Sequence, residues 1–353
     1  MPNAKNLKFL KDLVSAPSPS GFEAPAQIVV REYLKPFADK ITQDRNGNLI
    51  ALKKGSGKLK VMVVGHADEI GLIVNHIDEQ GYLYVKSLGG FDVNLLPGLR
   101  LDIYHQGQVV RGIIGRKPIH MMRGGDDTPK LKMEDLWIDI GASSREDALK
   151  RVAIGDVITY HSVFEQLSND LIVSKATDNK VGVYVAAAVM QELAKKQLKA
   201  SYYAVSSVGE ETTMRGARTS AWQIEPDIAL AVDVTFTSDI PGADKRVFGD
   251  VSLAKGPTLS IGAALHPSVH KRLLELAKKH KIPVQIEIAP GRTGTDADAI
   301  HDLKGGAAMA VIGIPNRYMH SPNEVISLKD LDAAVQLISE FVLSLDDRFS
   351  LER

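Results

Sequence analysis

His66, Asp68, Asp178, Glu210, Glu211, Asp233 and His320 are the residues of this chain best placed to do chemistry, because each follows an apolar run or sits in the loop just beyond one. The first such run is V-M-V-V-G-H-A-D-E-I-G, from Val61 to Gly71. Its apolar, mostly β-branched residues read as a strand buried on both faces, and the run halts at Gly65 just ahead of an imidazole and a carboxylate. Positions two apart share a side of a strand, so His66 and Asp68 are expected to point the same way. That pairing suits a metal-binding imidazole with an acid beside it. The other runs repeat the pattern: L-I-V-S leads to K-A-T-D-N-K around Asp178, Y-Y-A-V-S-S-V-G to Glu210 and Glu211, I-A-L-A-V to Asp233, and A-V-I-G-I to R-Y-M-H at His320. In an open α/β sheet such strand ends form the crevice where ligands collect.

Taken singly, each residue has a plain structural role: a core or loop histidine, an N-cap at Asp178, a solvated pair at Glu210 and Glu211. Taken together they do not. Adjacent acids in a crevice repel unless cations neutralise them, and an unpaired Asp233 closing a core strand is costly to bury. Two imidazoles and at least three carboxylates exceed the three or four protein ligands of one catalytic zinc. The set therefore suggests two metal ions sharing a bridging carboxylate, with a further acid left as a base.

The elements that must position these groups follow from the hydropathy pattern. Asn3 to Val14 reads as an amphipathic helix, and Ser20 with Glu23 as a capping box for a second helix to about Leu34. Ile41 to Lys53 reads as two strands around Asn46-Gly47. From about residue 72 to 164 the character changes to short β-type runs (Tyr82 to Val85, Leu99 to Tyr104, Val109 to Ile114, Trp137 to Ile140, Asp156 to Tyr160) with one short helix, Ser144 to Arg151. That signature predicts a small all-β barrel, residues 72–164, inserted in an α/β domain formed by residues 1–71 and 165–353. The rest alternates strand and helix, which predicts a mixed, largely parallel central sheet flanked by helices. Ile228 to Val232 is read as a strand ending at Asp233, and Asp330 as the cap of a closing helix from Ser327 to Leu345.

The 353 residues are long enough for two domains, and 44% hydrophobic with 24% charged residues is ordinary for a globular protein with a sizeable core. Lys+Arg and Asp+Glu both number 43, so the net charge of +0 removes the electrostatic footprint of a nucleic-acid partner. No run approaches the roughly 18 apolar residues of a membrane span, and M-P-N-A-K-N-L-K lacks the apolar core of a signal peptide. Without cysteine, any metal must be held by imidazoles and carboxylates. A cytoplasmic setting is the expectation.

In order and at these separations, G-H-A-D-E-I-G, D-N-K, V-G-E-E, A-V-D-V-T, G-R-T-G-T-D-A-D and R-Y-M-H-S-P resemble the motifs of the tetrahedral (TET) metalloaminopeptidases, a family also described as glutamyl or deblocking aminopeptidases or as endoglucanase-like. The resemblance covers essentially the whole chain. It implies one metal on His66, Asp178 and Asp233, a second on Asp178, Glu211 and His320 with Asp178 bridging, Glu210 as general base, and Asp68 orienting the His66 imidazole. It also implies removal of N-terminal residues from short peptides, zinc, cobalt or manganese as the ion, and dimers, formed through the β insert, that assemble into a hollow dodecamer. Where the family commonly has Asp-Asp-Arg this chain has Asp178-Asn179-Lys180, which replaces the arginine fork by a point charge.

Three rival functions remain at this level: a related dinuclear amidase or carboxypeptidase, a metal-free two-carboxylate glycosidase, which leaves both histidines unused, and a silent scaffold. In the related amidases and carboxypeptidases, as the resemblance has it, the extra domain follows the Glu-Glu motif, whereas here it precedes Asp178. The resemblance implies that the loop P-G-R-T-G-T-D borders the first side-chain pocket, with Arg292, Thr295 and Asp296 expected at the substrate side. A cation at Arg292 would favour an acidic first residue; the alternative is that Arg292 serves the loop or a subunit contact and the pocket is neutral.

Overall fold

The computed structural model describes residues 2–121 and 130–352. Helix α1 (Ala4–Ser15) starts where the Asn3 side chain accepts the Asn6 N–H, and buries Phe9, Leu10, Leu13 and Val14. Helix α2 (Ala24–Leu34) begins with Pro25 in its first turn and has no side-chain cap. The expected Ser20–Glu23 capping box does not form: the Ser20 hydroxyl donates to the buried Asp68 carboxylate, and Glu23 accepts from the Gly21 N–H. Strands β1 (Lys40–Gln43) and β2 (Leu49–Lys53) pair antiparallel across the turn containing Gly47, whose φ of +99° explains the glycine. Strand β3 (Lys60–His66) is buried from Val61 to its end.

The chain then leaves the sheet for a closed six-stranded barrel of β4 (Gly71–Ile77), β5 (Leu83–Leu88), β6 (Arg100–His105), β7 (Gln108–Arg116), β8 (Leu136–Asp139) and β9 (Val157–Tyr160). All its pairings are antiparallel, and closure by β9 against β4 and β6 removes free edges. Leu72, Ile77, Leu83, Leu101, Ile103, Ile138 and Ile158 fill its interior. Helix α3 (Arg145–Leu149), capped by Ser144, lies between β8 and β9.

On return, the order is β10 (Glu165–Gln166), β11 (Leu171–Ser174), α4 (Thr177–Leu193), β12 (Ser201–Ser207), α5 (Glu210–Thr213), α6 (Arg215–Ile224), β13 (Ile228–Phe236), α7 (Lys245–Phe248), β14 (Thr258–Ile261), α8 (Pro267–His280), β15 (Gln285–Ile288), β16 (Ala308–Arg317), β17 (Glu324–Ser327) and α9 (Leu328–Leu343). The main sheet is ordered β1-β2-β12-β3-β13-β16-β17-β11-β10, with β14 and β15 branching from β16. Its centre, β12-β3-β13-β16, is parallel, so four strands end at one rim. Asp233 lies inside β13 and not at its end. The strand keeps pairing with β16 as far as Phe236 after its pairing with β3 has stopped at Ala231, which leaves the Asp233 edge facing the end of β3.

Helix α4 is buried on nearly every side. It touches the sheet backbone to backbone: a Cβ on Gly65 would fall 2.3 Å from the Gly182 carbonyl carbon, and one on Gly182 would fall 2.4 Å from the Val232 carbonyl oxygen. Only glycine permits that approach, and it brings the start of α4 to the ends of β3 and β13. On the other face α6 and the turn Asp296–Ala299 cover Met62, Val64, Ala231 and Met309. Helix α9 is capped by Ser327, which accepts the Lys329 N–H. Asp330, expected in that role, instead accepts from Ala254 and Gly256 N–H groups of a neighbouring loop.

Gly182→Ala should therefore force the helix from the sheet and lower stability by about 1–3 kcal/mol, read as a reduced Tm in thermal unfolding. An unchanged Tm would mean that the seam is not close-packed.

Candidate metal centre

The rim gathers residues that the sequence scatters. His66 ends β3, Asp233 lies in β13, Asp178 stands in the first turn of α4, Glu210 and Glu211 open α5, and His320 sits in the loop from β16 to β17. Two triplets result, His66–Asp178–Asp233 and Asp178–Glu211–His320, each with its ligand atoms within 4.8 Å of one another. Asp178 belongs to both. Its Oδ1 lies 3.2 Å from His66 Nε2 and its Oδ2 3.2 Å from His320 Nε2, so one carboxylate spans the two imidazoles. Glu211 Oε1 is 3.4 Å from His320 Nε2, and Asp233 Oδ1 is 3.9 Å from His66 Nε2. Glu210 belongs to neither triplet, but its Oε2 reaches to 3.6 Å from His66 Nε2.

Charge is crowded here. Burial, reinforced by neighbouring acids, pushes Glu210 up to about 8 and holds Asp233 and Glu211 above the usual carboxylate range. Asp178 is the exception: burial opposes its ionisation, but His320 and His66 outweigh burial and hold it well below that range. Burial likewise opposes a charge on His320, yet Asp178 and Glu211 raise it to about 11. Glu211 Oε1 is buried and, among the described residues, has no hydrogen-bond partner. An orphaned carboxylate oxygen among imidazoles and acids is the donor set that hard or borderline divalent cations take, so the residues fit such ions.

Two further acids bracket the cluster. The Asp68 carboxylate accepts the Glu210 N–H on Oδ1 at 3.0 Å and the Glu211 N–H on Oδ2 at 3.2 Å. His66 Nδ1 lies 3.1 Å from the Asp68 backbone oxygen and 3.4 Å from its Oδ1. Asp68 thus ties α5 to β3 as well as facing the imidazole. Glu324, which the sequence reading missed, accepts the His320 N–H on one oxygen and the Thr177 hydroxyl and Asp178 N–H on the other. It is fully buried, and burial with the Asp178 charge pushes it up to about 8. Its only signal in the sequence is its place four residues beyond His320, at the start of a strand.

Asn179 and Lys180 turn away from the triplets. Asn179 donates to the Val232 carbonyl and accepts the Gly182 N–H, while Lys180 donates to the Ala16 carbonyl and, with Lys175, to Glu69. Asp296 is buried beside the cluster and accepts from the Ser207 hydroxyl; Thr295 caps the turn Asp296–Ala299. Arg292 is not brought to this rim. It is exposed and lines a cavity of about 590 Å³ with His266, His301, Asp298 and Met309. Met309 stands at the start of β16, the opposite end from His320, and Arg292 makes no ion pair among the described residues.

With this geometry, residues 47–337 match the M42 glutamyl aminopeptidases. The chain belongs to that family. This M42 chain is 35% identical to the lysyl aminopeptidase of Pyrococcus furiosus, over 94% of each protein. It superposes with a TM-score of 0.94 on the TET aminopeptidase of a marine sediment archaeon of the Thaumarchaeota, 32% identical over 98% of this chain and 99% of that one. The TET1 peptidase of Pyrococcus horikoshii, which can assemble into a tetrahedron or a large octahedral shell, gives 0.86 at 28% identity, over 96% and 100%. The chain is a peptide hydrolase of the M42 type.

Glu324→Gln would turn an amide N–H₂ toward donors that now share a carboxylate. Divalent-ion affinity should fall about 10–100-fold in a calorimetric titration, with the secondary structure unchanged. Equal affinities would show that Asp178 and His320 hold their places without it.

Proposed function

We propose that this M42 chain is a dinuclear metal-dependent aminopeptidase that removes the first residue of short peptides. The observation that carries this reading is the bridging placement of Asp178, whose two oxygens face two different imidazoles. His66, Asp178 and Asp233 would hold one divalent ion and Asp178, Glu211 and His320 the other; zinc, cobalt and manganese all suit such ligands. Bound there, the ions supply Lewis acidity that polarises the scissile carbonyl and lowers the pKa of a water. The three ligand carboxylates bring three negative charges toward the four positive charges of such a pair.

Glu210 is the acid left outside both triplets, and Asp68 fixes its backbone at the mouth of the crevice. In this position it takes the proton from the attacking water and returns it to the departing amine, so one carboxyl serves both halves of the hydrolysis. Asp68 acts as a positioning group through α5 and the His66 ring. Asp296, buried against Ser207, supports the wall under His66 and does not meet the substrate.

First-residue preference is broad or neutral in this proposal. Arg292 faces a cavity at the far end of β16, and the charges that bear on Asp296 include those of His66, Asp68 and Glu210. Within the family the first-residue preference varies widely, since the family description names glutamyl release and a relative is named for lysyl release. We further propose that the barrel, with its surface strands, serves association into dimers and a tetrahedral dodecamer; the assembling TET1 peptidase supports this.

Glu210→Gln should keep its metal content and lose roughly 10²–10⁴-fold in kcat. Near-normal turnover would remove Glu210 from the proton-transfer role. A strong chelator should abolish release from a free-amine peptide, re-addition of zinc, cobalt or manganese should restore it, and the N-acylated peptide should resist throughout. Cleavage of the acylated peptide at a comparable rate would favour an amidase. Arg292→Ala should leave the ranking of first residues unchanged across an aminoacyl substrate panel; a selective loss on Glu and Asp would reinstate an acidic pocket.

A further inference from the structure

The inserted barrel reaches the metal centre through the loop that follows β5. Leu88 still pairs with Gly71 in the ladder, and Phe91 is already packed on the barrel core, edge-on to Tyr160 with ring centres 5.8 Å apart. Asp92 then accepts the Asn94 N–H and fixes the next turn. Only Gly89 and Gly90 stand between these anchors, and both lie against the triplet that holds Glu211 and His320.

The two glycines have different reasons. Gly89 has a φ of +93°, and a Cβ there would fall 2.7 Å from Ile70 Cγ2 and 3.4 Å from Glu211 Cβ and Oε2. Backbone conformation and packing explain it. Gly90 has no left-handed φ, and among the described residues a Cβ there would meet only His320, at 3.6 Å from Nδ1 and 3.7 Å from Cε1, which is ordinary contact. It is exposed. Among the described residues nothing requires a glycine at 90, which leaves its bare backbone open to a bound chain passing over it.

What passes there follows from the shape of the centre. Its His66 end is closed, with that side chain 1% exposed, whereas His320 is 34% exposed on the flank that Gly90 borders. In an aminopeptidase the first residue occupies the enclosed side and the rest of the peptide must leave by the open one. We infer that Gly90 is a specificity-determining position, the point at which the inserted barrel borders the second residue of the bound peptide, and that its missing side chain makes room for that residue. This inference rests on the aminopeptidase reading above.

The test compares Gly90→Ala, Gly90→Val and Gly90→Leu with the unaltered protein in its metal-loaded state. The substrates are two tripeptides that share the first residue the unaltered protein releases fastest, one with Gly and one with Phe in second place. Gly90→Leu should lower kcat/KM at least about tenfold on the Phe peptide and less than about threefold on the Gly peptide, with Gly90→Val between and Gly90→Ala within about twofold on both. Metal content should stay the same in all four. An equal fall on both peptides, with or without loss of metal, would mean that the residue merely disturbs His320 and would overturn the inference, as would no change at all. Should Gly90→Leu fail to fold, Gly90→Val carries the same comparison. Failure of the unaltered protein to release any first residue is a separate result, and it refutes the aminopeptidase reading itself.

Discussion

The structure depends on holding more carboxylates at one rim than its imidazoles can neutralise. Asp178, Glu210, Glu211 and Asp233 sit around His66 and His320 in a space where burial penalises charge. Such a cluster needs rigid elements to force it together and something to offset its charge. Four parallel strands ending together supply the first requirement, and the two imidazoles on either side of Asp178, with acids held above their usual range, supply the second.

Around the rim, three buried acids outside the triplets are each held by several donors. Asp68 collects two N–H groups and a hydroxyl, and Glu324 collects two N–H groups and a hydroxyl. Glu69 is paired with Lys175 and Lys180 and also accepts the Ser18 N–H. Burial draws Lys180 down to about 8 in spite of that partner. Pairs of this kind add little net stability over apolar packing, but removing one partner leaves a buried charge exposed to its full desolvation cost. They fix where β3, α4 and α5 begin and end, and so where the residues of the two triplets stand.

Much of this could be read from the sequence. Strand ends announce themselves when an apolar run stops at an acid or an imidazole, which is why the convergence of the residues of both triplets and the sheet that carries them were legible. The barrel was legible from short β runs spaced by glycines. What failed were inferences from local chemistry in places where a distant partner competes. Ser20 resembles a cap, but Asp68 takes its hydroxyl; Asp330 resembles a cap, but a loop 74 to 76 residues away takes its carboxylate. Asp233 resembled a strand terminus because pairing with β16 beyond the level of β3 is a property of the sheet, not of the run. Glu324 was silent for the same reason: its partners Asp178 and Thr177 lie 146 and 147 positions away. Arg292 stands apart from these: in the single chain it lines a cavity away from the rim, and its sequence context alone carries no sign of that direction.

The meeting of Gly65 and Gly182 has one more consequence. A contact without side chains has no rotamer through which to relax, so the backbone spacing beneath His66 and Asp178 is set by main chain. Glu211 and His320, by contrast, ride on a four-residue helix and a loop. In the dinuclear reading proposed above, the two receptacles would therefore differ in compliance, the first standing on a backbone seam and the second on shorter, less anchored elements.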